Sequence, residues 1–167
     1  QNSTVSCLAL GSKPDILEFR FEGSADTRGT LSNLIYNNDE LTKSSVVPVL
    51  TLDAVLMKKG IQDVTVLKVD VEGFELEVFL GAASFLQNSK PLVIFEVLPA
   101  SNDNLVNSRN SEMYNLFSKM SYSIFLIMES GGYKRVEQFD NRMNSENFDY
   151  IAIPNCSEYL RHIEELL

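Results

Sequence analysis

Short apolar runs alternate along the chain with segments whose apolar residues follow helical spacing. The runs at 64–70 and 92–97 are continuous and short, which is typical of strands buried on both faces. Between them, apolar residues recur at the spacing of a helix: Leu76, Phe79, Leu80 and Ala83. Strand, helix and strand in this order predict a βαβ unit, in which the two strands pair in parallel through a right-handed crossover.

The same patterns predict the rest of the secondary structure. Apolar runs and alternating segments predict strands at 5–10, 16–21, 46–50, 122–128, 133–139 and 148–153. Helical spacing predicts helices at 52–59, 74–80, 111–120 and 157–167. Thr51 and Gly60 bracket the first of these helices as its caps. Gly81 is expected to weaken or break the helix that follows the first buried strand.

Three further signals concern the ends and connections of these elements. Pro48 cannot donate a hydrogen bond to a sheet, so 46–50 is expected to be an edge strand or a connector. Asn155, with Glu158 three residues later, resembles a capping box for the last helix. The polar stretch 22–45 is predicted to be a long loop, and such loops are often lids or binding segments. Its polar residues suit a solvated loop, and contact with a polar substrate such as a sugar is the other interpretation of Tyr36, Asn37, Asn38 and Asp39.

The composition and charge of the chain exclude some classes of function. The 167 residues suit one domain, residues 1–167, and 44% of them are hydrophobic. A net charge of −9 without a basic cluster argues against nucleic acid and against an anionic membrane surface. No apolar run approaches the ~18 residues that span a bilayer, and no signal peptide is visible. Cys7 and Cys156 are expected to be free thiols. We therefore expect a soluble, cytoplasmic protein.

The residues best suited to chemistry follow the first buried strand. Asp70 ends that strand, and Glu72, Gly73 and Glu75 lead into the helix. If the strand continued to residue 72, Asp70 and Glu72 would share a face. The simpler interpretation is a solvated strand end followed by helix-start carboxylates. Because ligands of open α/β sheets bind outside the carboxyl ends of the strands, this segment predicts the active-site edge.

Glu96 ends the second buried strand and is expected to emerge beside Asp70 if the two strands pair. Two acids at one sheet edge could orient a hydroxyl, accept its proton or bind a divalent cation. A single glutamate held by a helix N-terminus or by water is the other interpretation. The only histidine, His162, is expected at the surface of the last helix, which argues against a Ser-His-Asp or Cys-His mechanism. No Walker motif and no GxGxxG occurs.

Four segments occur in an order that points to one family. They are Val49-Leu50-Thr51-Leu52-Asp53 (V-x-T-L-D), Lys68-Val69-Asp70-Val71-Glu72-Gly73-Phe74-Glu75 (K-I-D-V-E-G-x-E), Phe79-Leu80-Gly81-Ala82 (V-L-x-G-A) and 91–96 (P-x-x-x-x-E). Ala9-Leu10-Gly11 also matches an A-L-S/G pattern. In this order the chain resembles the FkbM-type S-adenosylmethionine-dependent methyltransferases, and the Asp-Val-Glu-Gly core is the most specific piece of the match.

The resemblance implies a Rossmann-like class I methyltransferase fold, an α/β fold with a mostly parallel sheet and an antiparallel hairpin near one edge. It implies methyl transfer from S-adenosylmethionine to a hydroxyl of a sugar, glycolipid or natural product. Asp70 would lie near the methyl-transfer centre and contact the cofactor, and Ala9 and Leu10 would lie near the adenine. Glu72 or Glu96 would orient or deprotonate the acceptor. No metal ligand is carried over.

The sequence departs from the family in one respect. The glycine-rich D-x-G-A-N-x-G loop and the acidic strand end that follows it are absent. The chain thus resembles the later part of the domain, and we expect the family's N-terminal strands to be missing. The first buried strand would then present an unpaired apolar edge, which we expect 5–10, 46–50 or a second copy of the chain to cover.

Two other interpretations remain beside a methyltransferase. One is a non-catalytic α/β domain, derived from part of a methyltransferase, that serves binding or assembly. The other is a different doubly wound enzyme with a divalent cation at Asp70 and Glu96. Methyltransferase activity itself is expected of a longer parent chain that includes the glycine-rich loop.

Overall fold

The computed structural model describes residues 3–21, 29–32, 43–98, 104–139 and 148–165. Its strands, in chain order, are β1 (Ala9–Leu10), β2 (Asp15–Phe21), β3 (Gly29–Thr30), β4 (Lys43–Leu50), β5 (Val66–Val69), β6 (Leu92–Glu96), β7 (Tyr122–Ile127), β8 (Tyr133–Val136) and β9 (Asp149–Pro154). Its helices are α1 (Leu52–Lys59), α2 (Glu75–Leu80), α3 (Ala83–Ser89), α4 (Asn104–Lys119) and α5 (Glu158–Glu164). The strands form two sheets. Because these sheets are combined with the helices, the described part of the chain is a mixed α/β structure.

The five-stranded sheet has the order β5-β6-β9-β7-β8. β5 and β6 pair in parallel with α2 and α3 between them in the chain, which confirms the predicted βαβ order. The right-handed sense of the crossover stays a prediction. β7 and β8 form the predicted antiparallel hairpin at one edge. The expectation of a mostly parallel sheet is wrong, because β9 lies antiparallel between β6 and β7. β7 runs in the same direction as β6, but β9 separates the two strands.

The four-stranded sheet has the order β1-β4-β2-β3. β1 pairs in parallel with Val49 and Leu50 only, whereas β2 pairs antiparallel with the whole of β4. At Pro48, β4 therefore has a ladder partner on one side alone in the part of the chain that the structure describes, which suits a residue without an N–H. The predicted strand at 5–10 is too long, because only its last two residues pair.

Aromatic rings fill the core between the five-stranded sheet and α2, α3 and α4. Phe95 of β6 lies at the centre, with ring centroids 5.3 Å from Phe79 and 5.2 Å from Phe117. Phe139 and Tyr150 extend the cluster, their centroids 4.9 Å apart. Successive strand residues point to opposite faces, so the neighbours of this cluster face a second core, under α5, which contains Phe125, Ile151, Ile153 and Ile163.

The helix caps join α1 and α3 into one unit. Thr51 caps α1, as predicted, since its hydroxyl accepts a hydrogen bond from the Ala54 amide at 3.2 Å. Asp53 caps α3, because its carboxylate accepts hydrogen bonds from the Ser84 and Phe85 amides at 3.0 and 2.9 Å. The T-L-D segment therefore connects two helices that are distant in sequence.

The remaining helix ends differ in part from the prediction. Gly81 ends α2 as expected, and α3 begins two residues later. The N-cap of α5 is Ser157, whose hydroxyl accepts from the Tyr159 amide at 3.2 Å, so the predicted capping box at Asn155 is wrong. The Asn155 side chain instead accepts a hydrogen bond from Ser123 at 2.8 Å, which holds it on β7.

Candidate functional site

The carboxyl ends of β5 and β6 bring two of the predicted acids to one edge of the sheet. Val69 lies opposite Phe95 in the parallel ladder, so Asp70 and Glu96 follow at adjacent positions. Asp149, at the start of β9, pairs with Glu96 across the antiparallel ladder. The predicted meeting of Asp70 and Glu96 at one sheet edge is confirmed, and Asp149 is an addition that the sequence did not reveal.

The Asp70 carboxylate is half-exposed and forms an ion pair with Lys68, with a distance of 3.1 Å between Nζ and Oδ2. The hydrogen bond with Asp70 raises the pKa of the Lys68 ammonium. Both side chains face solvent, so this pair contributes little to stability. A competing cation can therefore approach Asp70 without breaking a buried contact.

Glu72 and Gly73 form a turn with left-handed backbone geometry. Their φ angles are 51° and 87°, and β5 already ends at Val69. The strand does not continue to residue 72, so the alternation of strand side chains does not place Glu72 on the same face as Asp70. Only a few per cent of non-glycine residues adopt such a φ, so the turn needs partners that hold it.

Glu75 is one of those partners. Its carboxylate is buried, and Oε1 accepts hydrogen bonds from the amides of Val71 and Gly73 at 3.1 and 3.2 Å. Burial raises the pKa of Glu75, and these hydrogen bonds act in the opposite direction. The interpretation of Glu75 as a helix-start carboxylate is confirmed, and its function is to support the turn that carries Glu72.

Glu96 is half-buried, and its surroundings favour the neutral acid. Burial raises its pKa above the ordinary value of 4.5, and four nearby carboxylates raise it further, those of Glu72, Asp70, Glu75 and Asp149. A raised pKa means that the folded protein binds this proton more tightly than the unfolded chain does. The resulting stability is fully present below the ordinary value and is lost as the pH rises through the raised value.

This shift predicts how the stability of a variant depends on pH. Because glutamine stays neutral, we expect Glu96→Gln to gain stability relative to the wild type as the pH rises from below 4.5 through the raised pKa of Glu96. Urea unfolding of both proteins at a series of pH values measures the difference. Glu129→Gln, at an exposed position, controls for the change in net charge. A difference that stays constant with pH would contradict the prediction.

A groove of about 490 Å³ lies beside β5, between its outer edge and the four-stranded sheet. It brings together Ala9, Leu10 and Asp70, the three residues expected to contact a cofactor. Its other lining residues are Leu8, Phe19, Gly29, Leu31, Leu67, Lys68, Val69, Val71, Phe74 and Val78. The described residues that line it do not include Glu72 or Glu96, so the candidate cofactor residues and the other two acids occupy neighbouring surfaces.

Sequence reasoning missed one wall of this groove. Gly29 and Leu31 come from the polar stretch 22–45, whose predicted loop contains β3. Gly29 packs flat against the ring of Phe19, where a Cβ would overlap that ring. The only local signal is a glycine next to a threonine in a polar segment, which is too common to indicate a wall. Tyr36, Asn37, Asn38 and Asp39 lie outside the described residues.

The outer edge of β5 has no ladder partner within the described residues. The segments 5–10 and 46–50 were expected to cover it, but β1 and β4 pair with each other instead. Residues 8–10 face β5 across the groove without pairing. Coverage by a second copy of the chain stays a prediction.

The remaining candidates are a metal site, the histidine and the two cysteines. The described part of the chain has no group of three or more His, Cys, Asp or Glu side chains arranged to hold a metal ion. His162 is exposed on α5, as predicted, with Nδ1 3.0 Å from the Glu158 carbonyl oxygen. Cys7 and Cys156 are both free, as expected, and both are exposed.

Comparisons with known proteins give one match. A family model described as the methyltransferase FkbM domain matches residues 2–134. That range includes β1, the groove, the Glu72 turn and both candidate acids at the sheet edge. A search of curated proteins and a search of solved structures each return no match. No helix among the described ranges has the length and apolarity needed to cross a membrane.

Proposed function

The chain belongs to the family of FkbM methyltransferase domains, and we propose from this membership that it serves methyl transfer from S-adenosylmethionine to a hydroxyl oxygen. The acceptor class we propose is a sugar, a glycolipid or a hydroxylated natural product. The observation that carries the proposal is the groove beside β5, which collects Ala9, Leu10 and Asp70 at the carboxyl end of a parallel strand. Ligands of α/β sheets bind at this end.

The strand directions support a class I methyltransferase fold. β5, β6 and β7 run in one direction, while β8 and β9 run in the other. Helices cover both faces of the sheet, with α4 on one side and α5 on the other. The four-stranded sheet lies across the groove from β5 and forms the wall that faces Asp70.

The groove residues fit S-adenosylmethionine in size and in chemistry. A volume of about 490 Å³ lies within the range of roughly 300–1,000 Å³ that small-molecule sites occupy. Leu8, Leu10 and Phe74 offer apolar walls for the adenine ring, and the Asp70 carboxylate offers a counter-charge for the sulfonium. When bound, this cofactor supplies an electrophilic methyl group.

We assign the handling of the acceptor to Glu96 and Glu72. A carboxylate with a raised pKa is a better proton acceptor than an ordinary one, and burial gives Glu96 this property. In this proposal Glu96 would accept the hydroxyl proton of the acceptor, and the cofactor would supply its methyl group to the acceptor oxygen, with the methyl–sulfur bond broken and S-adenosylhomocysteine as the leaving group. Glu72 orients the same hydroxyl from the neighbouring turn, and the apolar wall of the groove limits access of water.

The role of Asp70 predicts a charge-selective change in ligand binding. We expect Asp70→Asn to weaken binding of S-adenosylmethionine about two- to fivefold, the effect of losing one partly exposed ion pair. Binding of S-adenosylhomocysteine, which lacks the sulfonium charge, should change far less. Isothermal titration calorimetry on the 167-residue chain measures both ligands. Asp63→Asn, an exposed carboxylate before β5, is the matched control.

The outcomes of this titration separate the candidate functions. If Asp70→Asn weakened the binding of both ligands equally, Asp70 would not contact the sulfonium, but the groove would remain the binding site. Absence of binding by the wild type at millimolar ligand would contradict the proposed function for this chain. It would favour the non-catalytic binding or assembly domain, for which the edge of β5, unpaired within the described ranges, is the supporting observation.

A further inference from the structure

Thr30 lies in β3 between two residues that line the groove, Gly29 and Leu31. The residue is buried, with 1% of its surface exposed. It belongs to the four-stranded sheet, where it pairs with Arg20 of β2. Asp70 and Val71 lie on the opposite wall of the groove, in the segment that follows β5. Thr30 is therefore placed where a side chain can connect the two walls.

The Thr30 hydroxyl makes that connection. Oγ1 donates a hydrogen bond to the carbonyl oxygen of Glu72 at 2.6 Å and accepts one from the Ser32 amide at 2.8 Å. A hydroxyl has a single proton to donate, so its one donor serves the Glu72 turn. The bond spans 42 positions of sequence, and it links the four-stranded sheet to the turn that carries Glu72.

The turn depends on such external support. Glu72 has a φ of 51° without being a glycine, and such a residue persists only where its surroundings hold it. Glu75 holds the amides of Val71 and Gly73 from the side of α2. Thr30 holds the Glu72 carbonyl from the side of β3. The turn is thus clamped between two buried side chains from different parts of the fold.

We propose that Thr30 is a positioning residue whose hydroxyl sets the separation between the groove wall that carries Asp70 and the wall formed by Gly29 and Leu31. The inference rests on the proposed function, because it treats the groove as the S-adenosylmethionine site. Thr30 does not line the groove and acts through Glu72. Its removal should change the shape of the site and leave the charge of the site intact.

Calorimetry with S-adenosylmethionine and S-adenosylhomocysteine tests the proposal on three forms of the 167-residue chain. Thr30→Val keeps the shape of the side chain and removes the hydroxyl, and we expect affinity for both ligands to fall about five- to twentyfold. Thr30→Ser keeps the hydroxyl and should bind within about twofold of the wild type. The ratio of the two affinities should stay constant, in contrast to Asp70→Asn. Circular dichroism verifies folding, and Thr30→Ala replaces Thr30→Val if the latter does not fold.

Two results would overturn the proposal. One is a Thr30→Val protein that binds both ligands like the wild type, and the other is a Thr30→Ser protein that loses as much affinity as Thr30→Val. If the wild type binds neither ligand, the proposed function fails, and hydrogen exchange then decides the positioning role. The amides of Val71 and Gly73 should exchange at least about tenfold faster in Thr30→Val than in the other two forms, and equal rates would overturn the coupling as well.

Discussion

Gly81→Ala is expected to lower the free energy of unfolding by about 3 kcal/mol or more. Gly81 has an ordinary helical φ of −78°, so its backbone would accept any residue. In an isolated helix, alanine would even be favoured over glycine by about 1 kcal/mol. A Cβ on Gly81, however, would overlap the carbonyl oxygen of Gly11. Because the obstacle is backbone rather than a flexible side chain, β1 or α2 must move.

The measurement is urea unfolding of Gly81→Ala and of a matched control. Gly60→Ala also adds one methyl to a glycine at the end of a helix, but no atom lies within 4 Å of the added Cβ. Its cost should be the strain of a left-handed φ of 65°, about 1–2 kcal/mol. A Gly81→Ala protein as stable as the wild type, or less affected than Gly60→Ala, would contradict the steric argument.

Gly81 also illustrates what the sequence can and cannot reveal. A glycine after an amphipathic segment predicts the end of a helix, and α2 does end there. The physical reason for the glycine is different, since the carbonyl of Gly11, in the segment that follows β1, occupies the space that a Cβ would need. Local patterns report local preferences, whereas a close approach between distant segments leaves no signal at either position.

The elements predicted best are those whose signals are local. Thr51 and Gly60 fix both ends of α1 through capping hydrogen bonds within a few residues. The buried strands on either side of α2 and α3 are equally clear, because parallel pairing through a helix follows from their order. The position of β9 between β6 and β7 depends instead on pairing between strands that are distant in sequence, which local patterns do not report.

The same difference between local and long-range signals applies to the candidate site. The meeting of Asp70 with Glu96 follows from the parallel pairing of two strands and was predictable. The direction of Glu72 was not, because its left-handed φ is held by contacts from Thr30 and Glu75. The groove requires the pairing of β2 with β3, and the polar sequence of 22–45 does not indicate it.

Glu75→Ala is expected to lower the free energy of unfolding by about 2–4 kcal/mol and to release the turn that carries Glu72. The variant leaves the amides of Val71 and Gly73 without their acceptor, and each such loss in a buried setting costs roughly 1–3 kcal/mol. Removing the buried carboxyl also removes a desolvation penalty, since burial raises the pKa of Glu75. The two effects oppose each other, which is why we expect less than the sum of two lost hydrogen bonds.

Glu75→Gln separates the hydrogen bonds from the charge. Glutamine keeps a carbonyl oxygen for the same two amides and is neutral at every pH, so it should lose about 1 kcal/mol or less. A raised pKa in the folded state means that the wild type loses stability as the pH rises. The free energy of unfolding of Glu75→Gln should therefore increase relative to that of the wild type with increasing pH. Urea unfolding measures stability, and hydrogen exchange at Val71 and Gly73 measures the turn. If glutamine and alanine were equally destabilising, the loss would not come from the two amides, and the clamp on the Glu72 turn would rest on Thr30 alone.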